Sequence, residues 1–182
     1  MKFKTLSIPD VVVIEMDVYE DDRGFFLESY HAKKFEEAGL PATFVQDNIS
    51  GSKRGVLRGM HYQIKMAQGK LLGVIAGEVF DVAVDLRRSS PTFGKWTGIK
   101  LTPHNQTQLW IPPGFAHGFY VLSEWAEVRY KTTDFYSPEW ERTLLWNDPD
   151  IGIDWPLDEG GNPSLSAKDQ EGKYLSGADI FD

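Results

Sequence analysis

Cysteine is absent from the 182-residue chain. Disulfides, thiolate metal sites and cysteine nucleophiles are therefore excluded together. The lack is compatible with a reducing compartment, where thiols gain nothing from pairing. Long apolar runs are missing too. The longest early one, Val11-Val12-Val13-Ile14, is far shorter than the roughly 20 residues of a membrane helix or the core of an export signal. The expectation is a cytoplasmic chain with no membrane partner, and the Asn-x-Ser/Thr triplets at Asn48 and Asn105 are read as chance. Positive charge is scarce, with 19 Lys+Arg against 27 Asp+Glu and a net charge of −8. Nucleic-acid backbones are held by many cations at once, so nucleic acid is not an expected partner. A few arginines converging in one cleft can still hold a small anion, because local potential is set locally. Four motifs are also missing: G-x-G-x-x-G, the phosphate-cradling P-loop, H-E-x-x-H and G-x-S-x-G. Dinucleotide redox, P-loop phosphoryl transfer and serine esterase chemistry lose weight accordingly.

What remains is an ordinary globular composition, 41% hydrophobic and 25% charged, and a length that fits one domain spanning residues 1–182. Short alternating apolar runs recur, punctuated by Gly and Pro. In Val79 to Leu86, Phe80, Val82, Val84 and Leu86 fall on one side of a period-two pattern and Val79, Asp81, Ala83 and Asp85 on the other. Lys70 to Ile75 precedes it, and Ala76-Gly77-Glu78 between them reads as a hairpin turn. Further strands are expected at 11–17, 43–49, 56–63, 96–101, 108–111, 118–122 and 127–133. Only His31 to Gly39 reads as a helix, with Phe35 on its apolar face and Gly39-Leu40-Pro41 to end it. Many short strands and one helix argue for an all-β sandwich or barrel. The Asp-, Gly- and Pro-rich stretch after Trp146 reads as a loop-rich tail wrapped around it.

Four stretches place polar side chains where a plain strand would carry Val or Thr: Phe44 to Asn48, Leu57 to Gln63, Pro112 to His117, and Arg129-Tyr130-Lys131. Gln46 and Asn48 share a strand face, as do His61 and Gln63, and Tyr130 shares one with Val128, so its ring should point inward. Arg58 and His61 are three apart and would oppose each other on an ideal strand; Gly59 between them offers a bulge that brings both to one cavity. His61 reads either as a core histidine satisfied by a carbonyl or as a base, since an unperturbed imidazole titrates near ~6.5. A base needs an orienting partner, and the chain offers several carboxylates, Asp169 among them. Lys70, His117 and Arg23 each have an ordinary reading as strand-end or turn residues. Together, His61, Lys70, His117, Tyr130 and Arg58 supply a base, a cation, a donor, a phenol and an anion clamp. That set suits proton abstraction beside a carbonyl, with the enolate oxygen stabilised electrostatically.

At this level of detail the chain resembles the dTDP-4-dehydrorhamnose 3,5-epimerase family almost end to end. The resemblance rests on Asp22-Arg23-Gly24-Phe25-Phe26-Leu27-Glu28, Phe44 to Asn48, Gly55 to Gln63, Gln68-Gly69-Lys70-Leu71, Gly77 to Asp85, Ser90 to Gly94 and Leu109 to Phe119. Trp146 to Pro149, Ile153 to Pro156 and Leu165 to Asp169 continue it into the tail. It implies a cupin-type jelly roll, a homodimer with N-terminal strands packed across or exchanged at the interface, and no metal or redox cofactor. The implied reaction is epimerisation at C3 and C5 of a dTDP-linked 4-keto-6-deoxyhexose, on the way to dTDP-L-rhamnose. By the same resemblance His61 is the base, Asp169 its carboxylate partner, Lys70 the cation near the enolate oxygen and Tyr130 the acid on the opposite face. Arg23 and Arg58 match diphosphate-holding residues. Glu28, Gln46, Asn48, His117, Glu141 and Lys168 match positions lining the nucleotide or sugar site, and Tyr136 an aromatic stacked on the base.

Three alternatives share this chemistry or this fold. Related enzymes invert one carbon only, or act on other 4-keto sugars; the joint presence of His61, Tyr130 and Lys70 favours the full reaction. Metal-dependent cupins hold their ion with an H-x-H pair, a following Glu and a later His. His117 matches the last of these, but His61-Tyr62-Gln63 puts an amide where the second His belongs, and catalytic metals generally take three protein ligands. A non-catalytic nucleotide-sugar binder would be expected to lose His61 or Tyr130, and both are present.

Overall fold

The computed structural model describes residues 1–182. Its strands are β1 (Lys2–Thr5), β2 (Val12–Glu15), β3 (Val18–Asp21), β4 (Gly24–Leu27), β5 (Gln46–Lys53), β6 (Leu57–Gln63) and β7 (Lys70–Ala76). They continue with β8 (Val79–Asp85), β9 (Trp96–Leu101), β10 (Thr107–Ile111), β11 (Phe115–Val121), β12 (Trp125–Thr132) and β13 (Glu141–Thr143). Two short helices, α1 (Ala32–Glu37) and α2 (Ala167–Gln170), and one 3₁₀ turn at Leu175–Gly177 complete the chain. No helix is long and apolar enough to cross a membrane.

Two antiparallel sheets stack face to face. One runs β1-β2-β10-β7-β12-β5 and the other β13-β6-β11-β8-β9. Between them lies an apolar core of Leu72, Val128 and Ala126 from the first sheet and Val79, Ala83, Phe115, Phe119 and Val121 from the second. This is a jelly roll with short helices and a C-terminal tail: the all-β sandwich that the alternating pattern called for, and the jelly roll that the family resemblance implied. The second sheet is buried on both faces. Its outer side chains, Leu57, Met60, Tyr62, Val82, Val84, Leu86, Ala116 and Tyr120, pack under the tail residues Ile151, Trp155, Leu165 and Phe181. Single backbone bridges stitch that tail down, Val56 to Ser164, Leu144 to Lys173 and Arg87 to Phe181. Helix α1 has only six residues, too short to persist alone; fully buried Phe35 holds it against Ile14, Leu71 and Trp110 on the outer face of the first sheet. Burial of such a ring stabilises by about 2–3 kcal/mol.

One turn reading is corrected. Ala76-Gly77-Glu78 does not close a hairpin, because β7 belongs to the first sheet and β8 to the second. The segment is a corner between layers. Gly77 has φ +77°, and a Cβ there would sit 2.0 Å from the Trp125 carbonyl oxygen, so the corner is tight in a way that mimics a turn signal. The expected strand at 43–49 begins only at Gln46 and continues to Lys53. Strands β1, β3, β4 and β13 and helix α2 had no expected counterpart.

Gly59 shapes the site. Along β11, His117 pairs with His61 and Phe119 with Arg58, so two steps on β11 oppose three on β6. The extra residue is a bulge, and it reverses the alternation: Leu57, Met60 and Tyr62 all reach the outer core, while Arg58 and His61 face inward to one cavity. Gly59 has φ +141°, and a Cβ would lie 2.6 Å from the Cα of Gly118. No side chain fits where these two backbones meet.

Candidate active site

A cavity of about 360 Å³ opens between the sheets where β5, β12 and β7 face β6, β11 and β13. Its two walls come from different sheets. From the first come Gln46, Asn48 and Ser50 on β5, Lys70 on β7 and Tyr130 on β12; from the second come Arg58 and His61 on β6, His117 and Phe119 on β11 and Glu141 on β13. Gln68, Tyr136 and Lys168 complete the lining. The inner face of β5 is polar throughout, with Gln46, Asn48, Ser50 and Ser52 in alternation, and this is why the interior changes here from packed core to open space.

His61 Nε2 lies 2.6 Å from Asp169 Oδ1. Asp169 is buried, and its position follows from the local sequence. Ser166-Ala167-Lys168-Asp169 forms a capping box at the start of α2: the Ser166 hydroxyl accepts from the Asp169 N–H, and Asp169 Oδ2 accepts from the Ser166 N–H and hydroxyl. With Oδ2 so engaged, Oδ1 is left to face the imidazole. Burial pulls the Asp169 carboxyl upward, but the bonds from His61 and Ser166 outweigh it and hold it at about 2. Burial lowers His61 below its ordinary value, with Lys168 and Lys70 adding to that and Asp169 opposing it. At neutral pH the pair is a neutral imidazole beside a carboxylate. Nε2–H donates to Asp169, and Nδ1, which has no protein partner, carries the free lone pair.

Lys70 is buried and its ammonium donates only to the His61 carbonyl, at 3.3 Å. Burial lowers it to about 8, with Asp81 and Glu141 pulling upward. Burial also raises the Tyr130 phenol, against the pull of Arg58, so the phenol holds its proton at neutral pH. Arg58 is braced by Ser52 at 2.8 Å and the Gly51 carbonyl at 3.3 Å. Lys168 donates to Glu141 at 2.7 Å, and the Tyr136 hydroxyl to the other Glu141 oxygen at 2.9 Å. Gln46 accepts from the Tyr136 N–H and donates to Asn48.

Eleven of the thirteen site residues expected from the sequence thus meet around one cavity, Asp169 from behind His61. Arg23 and Glu28 do not join them in this chain. Arg23 sits at the tip of the β3–β4 hairpin, its side chain 89% exposed and paired with Asp21; Glu28 pairs with Lys34 at 2.7 Å. Ser50, Gln68 and Phe119 line the cavity without having been singled out. The support of His117 was not singled out either: Nε2 lies 3.0 and 3.1 Å from the oxygens of fully buried Asp81. The alternation in 79–86 already put Asp81 opposite the outer apolar residues, which was the available signal.

Gln63 has a purely structural part. Its amide donates to the carbonyls of Met66 and Phe135 and accepts from the Ser137 N–H, tying down the loop that carries Tyr136. No three His, Cys, Asp or Glu side chains converge as a metal-binding group.

Comparison with known proteins gives a uniform picture. The model of the family described as dTDP-4-dehydrorhamnose 3,5-epimerase matches residues 5–177. A dTDP-4-dehydrorhamnose 3,5-epimerase of Pseudomonas aeruginosa is 62% identical over 182 residues, covering 100% of this chain and 99% of that protein. A dTDP-6-deoxy-D-glucose-3,5-epimerase of Legionella pneumophila, solved in complex with dTDP-4-keto-L-rhamnose, superposes with a TM-score of 0.94 at 52% identity, covering 98% of this chain and 94% of the other. A 3'-monoepimerase of Streptomyces bikiniensis, solved with dTDP-quinovose, is more distant: TM-score 0.87 and 33% identity, over 94% of this chain and 87% of that one.

Proposed function

The chain belongs to the dTDP-4-dehydrorhamnose 3,5-epimerase family, and from that premise we propose how its cavity inverts C3 and C5 of a dTDP-linked 4-keto-6-deoxyhexose. The observation that carries the reading is the origin of the two proton-handling groups in facing sheets. His61 and Tyr130 approach a bound ring from opposite sides, and inversion at carbon needs removal on one face and return on the other.

Both C3 and C5 flank the C4 ketone, so loss of either proton spreads charge onto the same oxygen. His61 Nδ1 takes the proton, and Asp169 stabilises the imidazolium that forms, as an orienting acid does in a hydrolase triad. The Lys70 ammonium, buried and with a single weak internal bond, stands ready for the enolate oxygen. Tyr130 returns a proton to the other face, with Arg58 easing the phenolate left behind. Proton exchange through solvent resets the pair. Arg58 holds the diphosphate, for which a guanidinium fork is well matched, and Tyr136 stacks on the base.

The pH profile tests these roles. His61 works only as the free base, so kcat/KM rises with pH through a range below the ordinary imidazole value. Lys70 works only protonated, so the profile falls again near pH 8. Lys70→Arg keeps the cation without a nearby titration. We expect lower activity and an alkaline limb displaced upward by at least one pH unit. A limb that stays near 8 in the variant would assign it to another group.

Arg23 and Glu28 are accommodated by a homodimer. The β3–β4 hairpin carries Tyr19, Phe25 and Phe26, each about two-thirds exposed. Isolated two-stranded hairpins are marginal in water, and exposed aromatic groups of this kind mark interaction surfaces. The hairpin reaches a second copy, where Arg23 joins Arg58 at the diphosphate and Glu28 lines the partner's site. Mixing and re-dimerising Arg23→Ala with His61→Ala tests this. Half the dimers are mixed, and each mixed dimer regains one intact site only if Arg23 acts across the interface, giving roughly a quarter of wild-type activity. No recovery from fully exchanged subunits would place Arg23 in its own chain's site.

A further inference from the structure

Buried polar atoms in folded proteins are almost always hydrogen-bonded, so each exception needs a reason. Two buried side-chain oxygens here have no partner: Gln108 Oε1 and Ser50 Oγ. Ser50 is the one that lines the cavity. Its neighbours on the inner face of β5 are all engaged. Gln46 bonds Asn48 and the Tyr136 N–H, and Ser52 bonds Arg58. Across the strand pair Ser50 faces Val128, which offers no polar group, whereas Asn48 faces Tyr130. The hydroxyl is therefore idle within the chain and walled in beside an apolar neighbour.

Position narrows what it waits for. Residues two apart on a strand are about 6.6–6.8 Å apart. Ser50 lies one such step from Asn48, at the level of Tyr130, and one step from Ser52, which braces Arg58. If Tyr130 marks the reacting carbons and Arg58 the diphosphate, Ser50 is level with the part of the hexose between them. That part holds C2, which links C3 to the anomeric carbon, and the ring oxygen, which links C5 to it; only C2 bears a hydroxyl, which can both donate to and accept from the Ser50 hydroxyl. We propose that Ser50 is a specificity-determining residue that hydrogen-bonds the 2-hydroxyl of the sugar. The assignment rests on the epimerase reading of the cavity. It makes the enzyme selective for hexoses that keep the 2-hydroxyl over 2-deoxy sugars, because a site built around a hydroxyl is left with an unpaired buried group when the analogue lacks it.

The test is a cycle of enzyme and substrate. Wild type and Ser50→Ala are assayed on dTDP-4-keto-6-deoxy-D-glucose and on its 2-deoxy analogue. Ser50→Ala removes one oxygen that has no partner in the chain, so its melting temperature should not fall. On the parent sugar it should lose about tenfold in kcat/KM, the worth of one neutral hydrogen bond. On the 2-deoxy sugar it should match wild type, since the bond is missing already. Equal losses on both sugars, or no loss on either, would overturn the assignment. A wild-type enzyme inert on both would instead overturn the epimerase reading, and Ser50's role with it.

Discussion

His61→Ala should abolish the exchange of solvent deuterium into C3 and C5 of dTDP-4-keto-6-deoxy-D-glucose, and turnover should fall by about 10³- to 10⁴-fold, the upper end of what a positioned acid or base supplies. Binding of dTDP should change little, because none of the groups assigned to the nucleotide touches the imidazole. The size of the effect follows from the geometry. Nδ1 of His61 is an unpartnered ring nitrogen, held in one tautomer by a carboxylate 2.6 Å away that stays ionised. His61→Gln is the control for packing, since its Nε2 amide reaches the position from which the imidazole Nε2–H donates to Asp169 but has no basic atom. Both variants should be equally inactive. Exchange that survives in either one would remove His61 from the base role, and Glu141 would become the next group to examine.

Tyr130→Phe should separate two events that wild type couples. His61 and Lys70 remain, so deprotonation and enolate formation continue, and deuterium should still enter the recovered substrate within about tenfold of the wild-type rate. Inversion needs a donor on the other face, and its rate should fall by roughly 10²- to 10⁴-fold. Burial raises the Tyr130 phenol, so in wild type that donor is loaded throughout the neutral range in which His61 is free. A variant forming inverted product at the wild-type rate would show that another group, or water, returns the proton. A variant losing exchange and inversion equally would mean that Tyr130 acts in enolate formation itself.

The parts of this account legible in the sequence are those where the physics is local. The strand at 96–101 and the alternation through 79–86 were readable because side chains on a strand change face at every residue. The bulge at Gly59 was readable from one glycine between two residues that chemistry wants on the same side. Asp169 was singled out among the carboxylates only by the family resemblance; the Ser166-x-x-Asp169 capping box that holds it emerges with helix α2. What escaped depends on contacts distant in sequence. The corner at Ala76-Gly77-Glu78 looks like a hairpin because tightness around Gly77 is the same whether the chain turns within a sheet or between two. Asp81 was on the correct face, but only the fold shows that His117 meets it there. Ser50 is one serine among many until its neighbours are seen to be engaged and it is not. Arg23 lies on a hairpin whose aromatic residues stay largely exposed in their own chain, and Glu28 directly after it, so what these two residues meet is not written in the local pattern.

The most direct test of the central claim is to incubate the wild-type enzyme with dTDP-4-keto-6-deoxy-D-glucose in deuterated water and follow C3 and C5 by proton spectroscopy. With the base on one wall and the acid on the other, and both reactive carbons flanking the same ketone, solvent deuterium should appear at both positions and both should be inverted in the product. Label at a single carbon, or label at both with the original configuration retained, would contradict a cavity that removes a proton from one face and returns it to the other.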